Sequence, residues 1–188
     1  MASTKERIVE TTAELFRRYG YTGTGMKQVV ANANAPFGSL YHFFPGGKEQ
    51  LGDEVIRTSG RMYQEIVEAV WDAAPDVTTG VRDVFAGAAE VLRQSDYADA
   101  CPIATVALEV ASTSEPLRVA TAEVFDSWIA VATERLVAAG IRKKTARHLA
   151  FAILSLLEGA FVFSRAMRTT ESLDAAGTAA VALVRASL

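Results

Sequence analysis

One cysteine and two histidines are all that 188 residues offer to thiol or metal chemistry. A lone Cys101 excludes an intramolecular disulfide and fits a reducing compartment. His42 and His148 stand far apart, with neither HExxH nor CxxC spacing, and no nucleophile lies in a recognisable catalytic setting. No metal, cofactor or enzymatic activity is therefore expected. Strand-like alternation and internal repeats are both missing, which points to an all-α chain. Lys5-Glu6-Arg7 occupies the place where a signal peptide would need an apolar run. The most apolar run, residues 149–163, is interrupted by Glu158 and is shorter than the ~20 residues of a membrane span. Cytoplasmic localisation without a membrane partner is the expectation.

What is present is ordinary in bulk and uneven in detail. Hydrophobic residues make up 50% and charged residues 22%, enough for one domain or two small ones with a substantial core. The formal charge is −3, but residues 1–48 carry Lys5, Arg7, Arg17, Arg18, Lys27 and Lys48 against Glu6, Glu10 and Glu14, a local balance of +3. The remainder carries −6. A basic footprint on an acidic body attracts a polyanion at one end and repels it elsewhere.

Within that basic end, residues 24–48 read as two short helices joined by a tight turn. The first helix should cover residues 26–33, with Met26, Val29 and Val30 on one buried stripe and Lys27 and Gln28 facing outward. Asn32-Ala33-Asn34-Ala35 forms the turn, where Asn34 suits a left-handed backbone. Pro36 should be the first residue of the second helix. Phe37, Leu40 and Phe44, at i, i+3 and i+7, should pin that helix to a small core. Gly38, Ser39, Tyr41 and His42 are left exposed. This is the pattern of a helix-turn-helix, whose second helix reads the major groove. The DNA-facing set is Thr24, Gly25, Lys27, Gln28, Pro36, Phe37, Gly38, Ser39, Tyr41, His42 and Lys48.

Gly20-Tyr21 followed by Thr24, Val30-Ala31, Gly38-Ser39-Leu40-Tyr41-His42-Phe43-Phe44 and Lys48-Glu49-Gln50-Leu51 together resemble the amino-terminal domain of the TetR family of bacterial transcriptional regulators. The resemblance covers about residues 4–64. The glycine pair in Phe44-Pro45-Gly46-Gly47-Lys48, with Cys101-Pro102-Ile103-Ala104 and Val106-Ala107-Leu108-Glu109, further resembles the LmrA/YxaF-like branch. Gly25 departs from the Ser or Thr that usually caps the first helix, and Asn34 from the usual turn glycine. The resemblance implies an N-terminal three-helix DNA-binding domain, residues 1–47, followed by a helical ligand-binding and dimerisation domain, residues 48–188.

Downstream, helices are expected over residues 48–71, 78–93, 101–111, 114–139, 145–167 and 173–188. Hydroxyls or prolines mark several starts, and Gly140 marks a stop. Gly52 and Gly60 weaken the first of these helices by about 1 kcal/mol each relative to Ala, which suggests bending. The last two helices are apolar on nearly every side or rich in Ala. A homodimer interface accounts for them and pairs two reading heads for a palindromic operator in double-stranded DNA. The basic run Arg142-Lys143-Lys144-Arg147 reads as solvated surface.

For a small-molecule effector, the resemblance implies a pocket in the second domain. Met62, Tyr63, Ile66, Phe85, Phe125, Trp128, Phe151 and Glu158 are its candidate lining, with Glu158 able instead to pair with Arg165. The functional expectation is a repressor released from its operator by a small apolar or aromatic effector. The alternative is a thiol-based redox sensor triggered at Cys101, which precedes a proline at a helix start.

Overall fold

The computed structural model describes residues 2–188; Met1, the first residue of the expected DNA-binding segment, lies outside them. Among the described residues there are nine helices and no strand: α1 (Thr4–Tyr19), α2 (Met26–Asn32), α3 (Phe37–Phe43), α4 (Gly47–Ala73), α5 (Val77–Gln94), α6 (Pro102–Val110), α7 (Glu115–Ala138), α8 (Lys143–Met167) and α9 (Glu171–Arg185).

Two compact units share this chain. The first runs to Met62 and adds Cys101–Val124; the second comprises Tyr63–Ala100 and Phe125–Leu188. The division expected at residues 47 and 48 falls inside the first unit. Its core explains why: Phe16 of α1, Val29 of α2, Leu40 of α3 and Phe44, the C-cap of α3, are joined by Leu51 and Ile56 of α4, Ile103 of α6 and Leu117 of α7, each at most 1% exposed. Three short helices alone bury too little surface to stand by themselves, and each added side chain contributes roughly 1.5–3 kcal/mol.

Local signals set most helix ends in this unit. Ser3 Oγ accepts the Glu6 amide at 3.2 Å while the Glu6 carboxylate accepts the Ser3 amide at 2.6 Å, so α1 opens on a reciprocal cap. It closes at Gly20, whose φ of 73° favours glycine. Ile8, Thr12, Leu15 and Phe16 form its buried stripe. Gly52 and Gly60 do not interrupt α4, which runs as one helix from Gly47 to Ala73. A Cβ at Gly60 would lie 2.6 Å from Val124 Cγ1, and one at Gly52 would lie 3.0 Å from Tyr21 Cε2. Both glycines permit close packing.

The second unit has its own core, drawn from Trp71, Val81, Phe85, Leu92, Ile129, Leu136, Leu149, Ile153, Leu173 and Val184. Asp76, and not Thr78 or Thr79, caps α5: its carboxylate accepts both of those residues' amides. Acceptance of two orphan amides by one side chain outcompetes a hydroxyl cap. α9 packs between α5 and α8 through Leu173, Ala176, Gly177, Ala180 and Val184. The expectation of a segment too short to span a membrane is corrected by α8. That helix has 25 residues and is apolar enough, by length and composition alone, to do so, because its apolar character continues beyond residues 149–163.

Candidate nucleic-acid interface

The turn between α2 and α3 is closed from both sides. Asn34 takes φ 47°, the left-handed conformation expected of it, and the Ala35 amide donates to Val30 O at 3.0 Å. Arg7, reaching from α1, donates from Nε to Ala33 O at 3.3 Å and from its guanidinium to Asn34 O at 3.4 Å. These carbonyls are among those a helix end leaves unsatisfied. Arg7 was counted in the sequence only as basic charge; here it also holds the turn.

Pro36 is the N-cap of α3, at φ −61° and ψ 140°, one position before the N1 place expected for it. The Ser39 amide donates to Pro36 O at 3.0 Å, which makes this carbonyl the first acceptor of the helix. Leu40 and Phe44 are buried as expected, but Phe37 is 45% exposed and is no core anchor. With only seven residues, α3 buries just Leu40 along its own length. Phe37 instead packs on Tyr41, ring centroids 5.5 Å apart, and Tyr41 is 49% exposed. His42 is exposed and set edge-on to Phe43 at 5.1 Å. Gly38 is exposed with nothing within 4 Å of where a Cβ would sit, so another backbone can approach there. Phe37, Gly38, Tyr41 and His42 are thus the outward residues of α3, with Ser39 half-buried beside them.

Before α2, Thr24 is 1% exposed and its hydroxyl donates to Gly20 O at 2.7 Å. It fixes the loop and does not reach outward. Gly25 caps α2, exposed, and donates its amide to Gln28 Oε1 at 3.5 Å, so the half-buried Gln28 is folded back on the cap. Lys27 is exposed. Lys48 is half-buried with its ammonium 4.4 Å from the centroid of the Tyr21 ring. Burial lowers its pKa, and the nearby Glu109 carboxylate works against that shift.

An exposed α3 face beside a tight, braced turn is the geometry of a helix-turn-helix. The family model for bacterial regulatory proteins of the tetR family matches residues 8–55, and the model for the LmrA/YxaF-like transcriptional regulator C-terminal domain matches residues 78–179. This chain belongs to the TetR family. The HTH-type transcriptional regulator YxaF of Bacillus subtilis is 34% identical over 160 residues, 85% of this chain and 84% of YxaF. LmrA of the same organism is 29% identical over 160 residues, 85% of each chain. The crystal structure of a TetR transcriptional regulator from Legionella pneumophila matches with a TM-score of 0.85, at 20% identity and 96% coverage of both chains, which speaks for the fold. The TetR-family chain is thus a DNA-binding transcriptional regulator and not an enzyme.

The ligand candidates in this TetR-family chain are scattered. Met62 lies in the first unit and is 42% exposed. In the second unit, Ile66 and Phe151 are exposed, Tyr63 and Glu158 half-buried, and Phe85 buried. Phe125 and Trp128 are half-buried and meet edge to face at 5.8 Å. Phe151 carries the Arg147 guanidinium 5.1 Å from its ring. Arg165 donates to Ala98 O at 3.0 Å. Of these candidates only Phe85 borders the open groove of about 800 Å³ between α5 and α9, with Leu173, Val181, Arg82 and Arg185. Cys101 is the half-buried N-cap of α6, its Sγ accepting the Ala104 amide at 3.5 Å. Arg142, Lys143, Lys144 and Arg147 are exposed.

Proposed function

We propose that the chain is an effector-released repressor that binds a palindromic operator as a homodimer in the cytoplasm. The outward face of α3 carries the reading: Phe37, Tyr41 and His42 stand out from a helix whose other side is anchored by Leu40. Tyr41 and His42 reach base edges or phosphates, Gly38 lets the duplex come close, and Lys27 and Lys48 address phosphates on either side. Phe37 packs beside Tyr41 on the same face, ring centroids 5.5 Å apart. The functional division is the one between the DNA-reading segment up to residue 47 and the helices that follow.

Dimerisation is supported by the exposed apolar residues of α8 and α9, among them Val162, Phe163, Met167 and Leu183. The effector is a small apolar or aromatic molecule held in the second unit, where the groove at Phe85, Leu173 and Val181 and the aromatic pair Phe125 and Trp128 offer apolar surface. α4, a single helix with residues in both units, is the lever. Effector binding favours a conformer in which two recognition helices no longer match major grooves ~34 Å apart, so DNA and effector weaken each other.

The test is a Tyr41→Ala, His42→Ala double variant, assayed on duplexes that the wild-type protein selects from a randomised library. Loss of two reading side chains should lower affinity at least about tenfold. A folded double variant that binds as tightly as wild type would show that another surface reads the DNA.

A further inference from the structure

Glu109 lies on α6, far along the sequence from the helix-turn-helix, yet its carboxylate closes on the loop that launches α2. It accepts the Tyr21 amide at 3.0 Å on one oxygen and the Thr22 amide at 2.7 Å on the other. Both residues follow Gly20, the left-handed cap of α1, where the chain turns away from the helix. A Cβ at Gly20 would lie 1.9 Å from the Glu109 carboxylate. Glycine is therefore needed there for the carboxylate's approach as well as for the backbone. Charge-assisted bonds to two amides from one planar group fix direction as well as distance.

The rest of the loop continues from that clamp. Thr24 returns its hydroxyl to Gly20 O, and Gly25 then caps α2. The Tyr21 ring, held edge-on to Phe16 at 5.5 Å, forms the surface on which Lys48 rests. One side chain of α6 thus sets both the start of α2 and the platform of a phosphate-directed cation.

We propose that Glu109 is a positioning residue for DNA binding, holding the loop between α1 and α2 and through it the α2 N-terminus and Lys48. This rests on the DNA-facing surface assigned above. The sign of the effect separates it from plain electrostatics. An acid beside a DNA-binding surface repels phosphates, so its removal should raise affinity if charge were its only role. Removal of a positioning residue lowers affinity instead. Gln cannot substitute: it replaces one of the two acceptor oxygens with an NH2 group that only donates, and that group would face an N–H.

Glu109→Gln, Glu109→Ala and Glu49→Gln are to be compared on duplexes selected by the wild-type protein, across a salt series. Amide exchange is followed by NMR without DNA. Glu49→Gln removes the same charge from a residue that also acts electrostatically on Tyr21, and it bonds neither amide. In both Glu109 variants, exchange at Tyr21 and Thr22 should accelerate at least about tenfold with α8 unaffected. Affinity should fall about tenfold on every selected sequence, with a salt slope smaller by about one. Glu49→Gln should bind as well as wild type or better.

Unchanged or raised affinity in Glu109→Gln would overturn the proposal, whatever the exchange rates. So would outright unfolding of Glu109→Gln, which would make the residue a determinant of the fold. The two readings fail separately. Full binding by the Tyr41, His42 double variant removes the recognition-helix assignment, whereas full binding by Glu109→Gln with that double variant impaired removes this proposal alone.

Discussion

At Asp76 one carboxylate accepts the Thr78 and Thr79 amides, each at 2.9 Å, and both threonine hydroxyls, at 2.5 and 2.8 Å. Those bonds hold its pKa far below the ordinary carboxylate value of 3.8, the Thr78 hydroxyl foremost. A depressed folded pKa means stability that is present above the unfolded value and lost as pH falls toward the folded one. Asp76→Asn keeps a capping oxygen but removes the titration. The variant should melt slightly below wild type at neutral pH, and the gap should narrow progressively as pH falls below about 4, toward the depressed folded value. A gap that does not narrow in acid would mean that the carboxylate's charge contributes nothing. Residue by residue, what the sequence shows of such roles depends on distance along the chain. Asn34 was legible because its role is its own backbone. Lys5, counted toward the local +3, also binds Glu54 at 3.1 Å, and no spacing rule pairs residues so far apart. Glu109 was legible as part of a motif and silent as a clamp for the same reason.

Helices are where the sequence was most readable, because caps and stripes are written within a few residues of the features they create. The ends of α1, the turn after α2 and the start of α6 at Cys101-Pro102 all follow from local signals. Glycines inside a helix carry no such local message. Gly60 reads as a weak point in α4, yet its absent side chain is what admits Val124 of α7. Gly60→Ala sets two effects against each other: a helix-propensity gain of about 1 kcal/mol and an overpacking cost of about 1–3 kcal/mol. Val124 is β-branched and stiff, so the contact cannot be relieved by rotation alone. The cost should win, lowering the thermal midpoint by roughly 2–4 °C per kcal/mol lost. A midpoint that rises in calorimetry would show that α7 moves aside. Phe37 failed for a related reason. Its i, i+3, i+7 spacing is right for a stripe, but a seven-residue helix is too short to bury a whole one, and its first residue stays outside.

For the whole molecule, the question is what covers α8. Its inner side buries Ala146, Leu149, Ala150, Ile153 and Ala160, while Phe151, Val162, Phe163 and Met167 are left 45–64% exposed. Only 28% of its most apolar 18-residue stretch is buried within the single chain, which leaves apolar surface for a partner to cover. A second copy of the same helix offers a self-complementary cover, since a two-fold axis presents each apolar patch to its equal. Val162→Asp with Phe163→Asp tests this. Both side chains are exposed in one chain, so the change should cost the folded protomer little, within about 0.5 kcal/mol per site. Across a two-fold interface it would instead set four buried carboxylates against apolar surface and one another. Ultracentrifugation should then find wild type at twice the 20.1 kDa chain mass and the variant at that mass. Operator affinity should fall by about 100-fold or more, because the second half-site loses the high effective concentration that linkage provides. Affinity for an isolated half-site should be unchanged, since the α3 face is untouched. A variant that remains dimeric and binds the full operator normally would place the interface elsewhere on the molecule.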